Sequence, residues 1–350
     1  MNRPSGTLNS SYAQDMAIVR TRLQWILLVA GIILLFCLPL FASSYWLSVL
    51  NIIGISVIAV LGLNMLSGYC GQISLGHAAF IAVGAYTSAI LTTRFALPFW
   101  IALPCAGLAT GVVGLIFGLP SLRIKGFYIA MATLAAQFVI IYIAAHWRSV
   151  TGGTDGMVVP PPRIGNLILN SEGSMFIVIM SIAVMMTFFA KNLARSRIGR
   201  AWVAVRDNDI AAEVMGINLF KYKLLAFFVA SVYAGIAGSL WAHYMRAINP
   251  EHFPLMQSIW YLGMVIIGGL GSIAGAVFGA VFMTLLEQLV IGVGPAIGSI
   301  FPSFATVTSL AFSSMAFGLV IALFLIFEPR GLAHRWELFK AGYRFWPYSY

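Results

Sequence analysis

Residues 46–66 read WLSVLNIIGISVIAVLGLNML, a run with no Asp, Glu, Lys or Arg. About 20 mostly apolar residues in helical conformation span the hydrocarbon core of a bilayer. The run is unbroken instead of alternating every second residue, which favours a helix over a barrel strand. What surrounds it agrees. The 350-residue chain is 61% hydrophobic and 9% charged, whereas a soluble domain is about 45–50% apolar and about 25% charged. A soluble globule of this size leaves too much of such a composition on its surface.

Moving outward, apolar runs between polar or Gly/Pro breaks give ten candidate spans, at about 25–42, 46–66, 76–93, 98–119, 126–145, 174–190, 223–244, 258–270, 274–293 and 304–327. The expected fold class is therefore an all-α integral membrane protein. A segment 1–24 precedes a transmembrane domain at 25–327, and a tail at 328–350 follows it. The run starting at Trp25 is too long for the apolar core of a signal peptide and is followed at once by others. The eighth candidate is short, and only Gly268-Gly269-Leu270-Gly271-Ser272 separates it from the ninth, so a re-entrant hairpin is an alternative there. Either way both termini fall on one side. Placing them in the cytoplasm puts all but four of the 20 Lys and Arg residues on that side. Only Arg94, Arg148, Arg163 and Arg246 lie outside, the asymmetry of the positive-inside rule. That asymmetry also accounts for the net charge of +10 without nucleic acid as a partner.

Several chemistries lack support. There is no G-x-x-x-x-G-K-[ST] phosphate loop. The five histidines are scattered, and Cys37, Cys70 and Cys105 form no metal-ligand pair. No metal, cofactor or catalytic cluster is expected, so an intramembrane enzyme is disfavoured. Glu287, inside the ninth run, is the one clear intramembrane carboxylate. Alone it gives little basis for an ion-coupled relay, although an ATP-independent secondary transporter would have to use it.

Two loops are long enough to expect function. The outer one, 146–173, holds Thr151-Gly152-Gly153-Thr154-Asp155-Gly156, read as a tight turn. The inner one, 191–222, reads as structured. Asp207, Asn208 and Asp209 are good helix N-caps, Ala211–Met215 favours helix, and Gly216 can end it in a left-handed cap. A short cytoplasmic helix follows, with Ala211 and Ala212 on a small-residue face. It could dock into a partner protein or lie on anionic lipid headgroups.

This loop resembles the EAA loop of ABC importer permeases, in which Glu-Ala-Ala-x-x-x-Gly inserts into the ATPase subunit. Here Ile210 holds the Glu position, with acids displaced to Asp209 and Glu213, and the following Ile-x-Leu-Pro is missing. Further stretches resemble branched-chain amino-acid permeases of the LivM family. They are Leu63–Phe80 (LNMLSGYCGQISLGHAAF), Leu122–Ala130, Thr151–Gly156, Arg206–Asn218, Ile267–Ser272 and Glu328–Leu332. They occur in order from about residue 60 to 332. The resemblance implies a subunit without ATP of its own. It also implies a LivH-like second permease, two cytoplasmic ABC ATPases and a periplasmic solute-binding protein. As residues contacting the ATPase it implies Arg206, Asp207, Asp209, Ala211, Ala212, Glu213 and Gly216. The cargo would be branched-chain amino acids, or alternatively urea, short amides or another small polar solute.

Within Leu63–Phe80, three glycines weaken helix between the second and third spans. Irregular backbone at membrane depth must face protein or a watery cavity. Asn64, Gln72, Ser74 and His77 are therefore candidates for the translocation pathway, the alternative being a cytoplasmic turn with close helix packing.

Overall fold

The computed structural model describes residues 22–120, 127–164, 167–300 and 305–345. Most of the N-terminal segment 1–24, the end of the tail, and Arg3, Arg20, Arg123 and Lys125 of the charge count lie outside the described residues, as does much of the Leu122–Ala130 motif. The chain divides into two compact units, 1–47 and 48–350. In the first, α1 (Arg22–Cys37) continues into a 3-10 turn at Leu38–Leu40.

Helix α2 (Ser44–Asn64) opens the rest and runs into a π-turn at Met65–Tyr69. Then come α3 (His77–Thr93), α4 (Phe99–Gly118) and α5 (Phe127–His146). Two short strands, β1 (Met157–Val158) and β2 (Arg163–Ile164), follow, and β2 pairs with β3 (Leu167–Ile168). Helix α6 (Glu172–Arg195) leads into α7 (Arg197–Asp207), α8 (Asp209–Val214) and α9 (Leu219–Met245). Strand β4 (Ala247–Ile248) pairs antiparallel with β1. Helices α10 (Leu255–Gly268), α11 (Ile273–Ile300), α12 (Ala305–Phe327) and α13 (Gly331–Phe345) complete the chain.

Every one of the ten apolar runs coincides with a helix. Among the described residues, six helices are long and apolar enough to cross a membrane, or seven if the bent pair Phe317–Phe327 and Gly331–Ala341 is one span. Helix α3 is shorter, and α10 has 14 residues, so it rises only about 21 Å.

Packing of α3, α4 and α9 follows from small residues, since lipid gives apolar helices no hydrophobic reason to associate and close contact must do so. A Cβ placed on Gly84 of α3 would lie 2.4 Å from the backbone of Gly235 in α9. Gly107, Gly111 and Gly114 of α4 lie against the side chains of Ile236, Phe228 and Ser231 of α9. Helices α10 and α11 close on each other through Gly268, Gly275 and Gly279, where backbone meets backbone. Buried hydroxyls join the set, Ser239 Oγ donating to Ser88 Oγ over 2.7 Å.

Contacts sort to the two ends of α9. At its Met245 end, the Glu172 carboxylate accepts from Tyr244 Oη at 2.9 Å and from Asn51 Nδ2 at 3.1 Å. There too, Arg246 donates to the Asn170 carbonyl and Arg94 to the Val150 carbonyl. At the Leu219 end, Trp202 Nε1 donates to the Tyr222 carbonyl over 2.8 Å and Lys223 pairs with Asp209 at 3.7 Å. The loop holding Thr151–Gly156 is a tight turn as expected, Gly152 taking φ +77°, and it lies at the end opposite the α7–α8 segment.

Candidate docking helix and mid-depth polar node

Helix α7 follows a sharp bend at Ser196, whose Oγ accepts from Ile198 N at 3.1 Å. Its buried residues Gly199, Ala201, Trp202 and Val205 recur at helical spacing, so one face packs down. Trp202 is fully buried. Asn208 then interrupts the helix in extended conformation, and its Oδ1 accepts from Ala211 N at 3.0 Å to cap α8. Gly216, at φ +84°, ends α8, and Gly216 N and Ile217 N return to the Glu213 and Ala212 carbonyls. This is the N-cap and left-handed stop that the sequence predicts at those positions.

The expected docking residues divide into two sets. Ala212 is buried against the body of the protein, Asp209 pairs inward with Lys223, and Arg206 reaches away from α8. Ala211 and Glu213 face outward. The face that α8 presents is large and apolar. Ile210 is 66% exposed, Val214 82% and Met215 81%. The pair of alanines thus does not form one small-residue face. Those three side chains dominate the surface, with Ile210 and Val214 one helical turn apart; the sequence marks Val214 and Met215 only as helix formers, and Ile210 only as a departure from the EAA pattern.

The second region is the break between α2 and α3. The π-turn holds Ser67 and Gly68, and the chain is non-helical from Cys70 to Gly76. His77 Nε2 lies 2.9 Å from the carbonyl of Ala59, with its ring edge-on to Tyr261. Ala59 is ten residues before the end of the π-turn, about 15 Å along the helix. The chain therefore turns back along α2, and α3 starts deep inside the protein. Burial alternates along the returning stretch. Gln72 and Ser74 are 2% and 0% exposed while Ile73 between them is 47% exposed. Neither side chain has a hydrogen-bond partner among the described residues. Such groups usually find a partner, because burying one alone costs about 1–3 kcal/mol.

At the start of α3, Ala78 N donates to Ser258 Oγ and Ala79 N to Gln137 Oε1, both at 2.9 Å. Ser258 Oγ also donates to Gln137 Oε1, and Gln137 Nε2 donates to the Phe253 carbonyl over 2.8 Å. Thr133 Oγ1 accepts from Leu75 N at 3.0 Å. Gln137 lies near the middle of α5, so the first turns of α3 and α10 meet at mid-depth around one carboxamide. Gln137, Ser258 and Thr133 were not singled out from the sequence, being lone polar residues in apolar runs. Of the predicted pathway residues, Gln72, Ser74 and His77 lie on this side of the break. Asn64 does not join them. Its Nδ2 donates to the Ser272 carbonyl and its Oδ1 accepts from Gly271 N, each at 2.9 Å. Glu287 is half-buried in α11.

An apolar core of helices long enough to cross a bilayer, with two shorter helices that start at a buried polar node, marks a multi-pass membrane protein. The chain belongs to the family described as the branched-chain amino acid transport system permease component, whose profile matches residues 45–327. It is similar to the high-affinity branched-chain amino acid transport system permease protein LivM of Escherichia coli, at 28% identity over 333 residues, covering 88% of this chain and 75% of that one. The probable LivM permease of Methanocaldococcus jannaschii is 24% identical over 80% of this chain and 90% of its own. The LivH permease of Salmonella typhimurium is 24% identical over 80% of this chain and 91% of its own. No solved structure matches.

Proposed function

We propose that this chain is the LivM-type permease subunit of an ATP-driven ABC importer carrying branched-chain amino acids across the bacterial inner membrane. The single observation that carries the reading is the capped helix Asp209–Val214 with Ile210, Val214 and Met215 bare. Apolar side chains in that number on a rigid, structured loop suit a partner's groove. The partners are a LivH-like permease, two cytoplasmic ABC ATPases and a periplasmic solute-binding protein, all within membrane lipid.

The topology has ten crossings with both termini in the cytoplasm. The sorting of contacts supports it: α7 and α8 with their basic residues sit at one end of α9, and Arg94, Arg148 and Arg246 at the other. The helix Asp209–Val214 is driven by the ATPases, and the spans rock to expose the pathway to either side in turn. Gln72, Ser74 and His77, beside the node at Gln137, line that pathway. Two buried polar side chains without partners at the start of a broken span would gain partners once it hydrates. The binding protein supplies most of the selectivity, so the cargo follows from the LivM and LivH relatives, with urea or short amides as the alternative.

The test is uptake of labelled leucine into proteoliposomes holding both permeases and the ATPases, with the binding protein outside. Uptake should require internal ATP and cease when residues 209–214 are replaced by a Gly/Ser linker. Undiminished uptake without ATP would overturn the reading in favour of a secondary transporter.

A further inference from the structure

We infer that Arg206 and Asn64 are positioning residues that form a relay from the docking helix to the pathway stretch 70–76; this rests on the importer reading above. Arg206 lies in the last turn of α7, two residues before the Asn208 cap of α8, and its guanidinium also pairs with Asp207 at 2.9 Å, so it sits at the joint between the two helices. Its Nη1 donates to the carbonyl of Gly68 over 2.9 Å, inside the π-turn. A π-turn leaves its backbone irregular, and a charge-assisted hydrogen bond there is among the stronger tethers available. One residue earlier, Ser67 Oγ donates to the carbonyl of Gln72 over 3.0 Å. Displacement of Arg206 thus reaches Gln72 through two hydrogen bonds.

Asn64 extends the relay sideways. Its carboxamide holds both Gly271 N and the Ser272 carbonyl, which ties the π-turn to the hinge between α10 and α11. The junction has no slack. A Cβ on Gly68 would lie 2.1 Å from Asn64 Oδ1 and 2.3 Å from Gly271 N, and one on Gly271 would lie 2.9 Å from Arg206 Nη1. At Gly71, which takes φ +73°, the nearest atom would be Arg206 Cγ at 2.8 Å. Glycines at 68, 71 and 271 let three segments and one guanidinium meet at van der Waals distance. Close-packed contacts of this kind transmit displacement instead of absorbing it.

The test uses the assembled importer and two readouts, hydrogen exchange and the ratio of solute imported to ATP hydrolysed. In the unmodified complex, ATPase docking should protect residues 209–214, and ATP should change exchange across 65–76. Arg206→Ala and Asn64→Leu should each abolish the ATP response of 65–76 while protection at 209–214 persists. Losing a hydrogen bond to a charged group corresponds to a fall in the coupling ratio on the order of tenfold for Arg206→Ala. Arg206→Lys, which keeps charge but loses the planar fork, should fall between. An ATP response of 65–76 that survives in Arg206→Ala and Asn64→Leu overturns the relay and leaves the importer reading standing. Absence of protection at 209–214 in the unmodified complex overturns the importer reading, and the relay with it.

Discussion

Replacing Gln137 with Met keeps the length and volume of the side chain and removes its polar end. Three partners lose it: Ala79 N, Ser258 Oγ and the Phe253 carbonyl. Ala79 N retains a longer contact to the Gly76 carbonyl at 3.2 Å, so its loss is partly covered. Interhelical hydrogen bonds measured within membrane proteins average about 0.6 kcal/mol each, which sets a lower bound near 2 kcal/mol for three. A buried group left without a partner costs about 1–3 kcal/mol, and the Phe253 carbonyl and the Ser258 hydroxyl hydrogen are exposed to that penalty, which sets an upper bound near 6 kcal/mol. The expected destabilisation is therefore about 2–6 kcal/mol. Equilibrium unfolding of the purified permease in mixed detergent micelles measures it. A second consequence separates this node from ordinary core packing: exchange at Ala78 and Ala79 should rise before global unfolding, since both amides lose or share their cap. A change below about 0.5 kcal/mol, the level of an unremarkable surface substitution, would refute the assignment of Gln137 as the organiser of the two helix starts.

Val214→Asp should leave the fold within about 0.5 kcal/mol, because the side chain is 82% exposed. It should nevertheless remove ATPase from the purified complex, read by the stoichiometry of co-purified subunits. Gly84→Val should destabilise by about 3 kcal/mol or prevent folding, since the added Cβ would sit 2.4 Å from Gly235 backbone. Gly31→Ala, which meets nothing within 4 Å, should instead be neutral or stabilising by up to about 1 kcal/mol. Micelle unfolding of the two variants side by side gives both signs.

The helices were legible in the sequence because their signal is local. An apolar run reports its own preference for lipid, and each run coincides with a helix. The short helix Asp209–Val214 was equally legible, since Asn208 and Gly216 act on backbone within three residues of themselves. What escaped detection depends on partners far away in the chain. Gln137 and Ser258 are separated by 121 positions, and nothing next to either in sequence marks it. Glu172 reads as a helix-start acid, yet its carboxylate binds Asn51 and Tyr244. Arg206 is expected from the resemblance as an ATPase contact on a cytoplasmic loop, and only the fold shows its guanidinium on the Gly68 carbonyl. Asn64 shares a motif with Gln72 and His77, but it precedes the break, at the end of α2, and its carboxamide binds the hinge at 271–272. The apolar face of α8 was obscured for a different reason. The two alanines drew attention as a pair, although the 100° step between neighbouring helical residues sends one inward and the other out.

The central claim, that α8 faces the cytoplasm and receives the ATPase, is tested most directly by a single cysteine at position 214 in a chain with Cys37, Cys70 and Cys105 replaced by Ser. In sealed, right-side-out membranes, Val214→Cys should resist an impermeant maleimide, whereas Val158→Cys, on the opposite loop, should react. After the membranes are opened, a thiol-directed photocrosslinker at 214 should join the permease to a nucleotide-binding subunit. Labelling of position 214 from outside the sealed membrane would contradict the account.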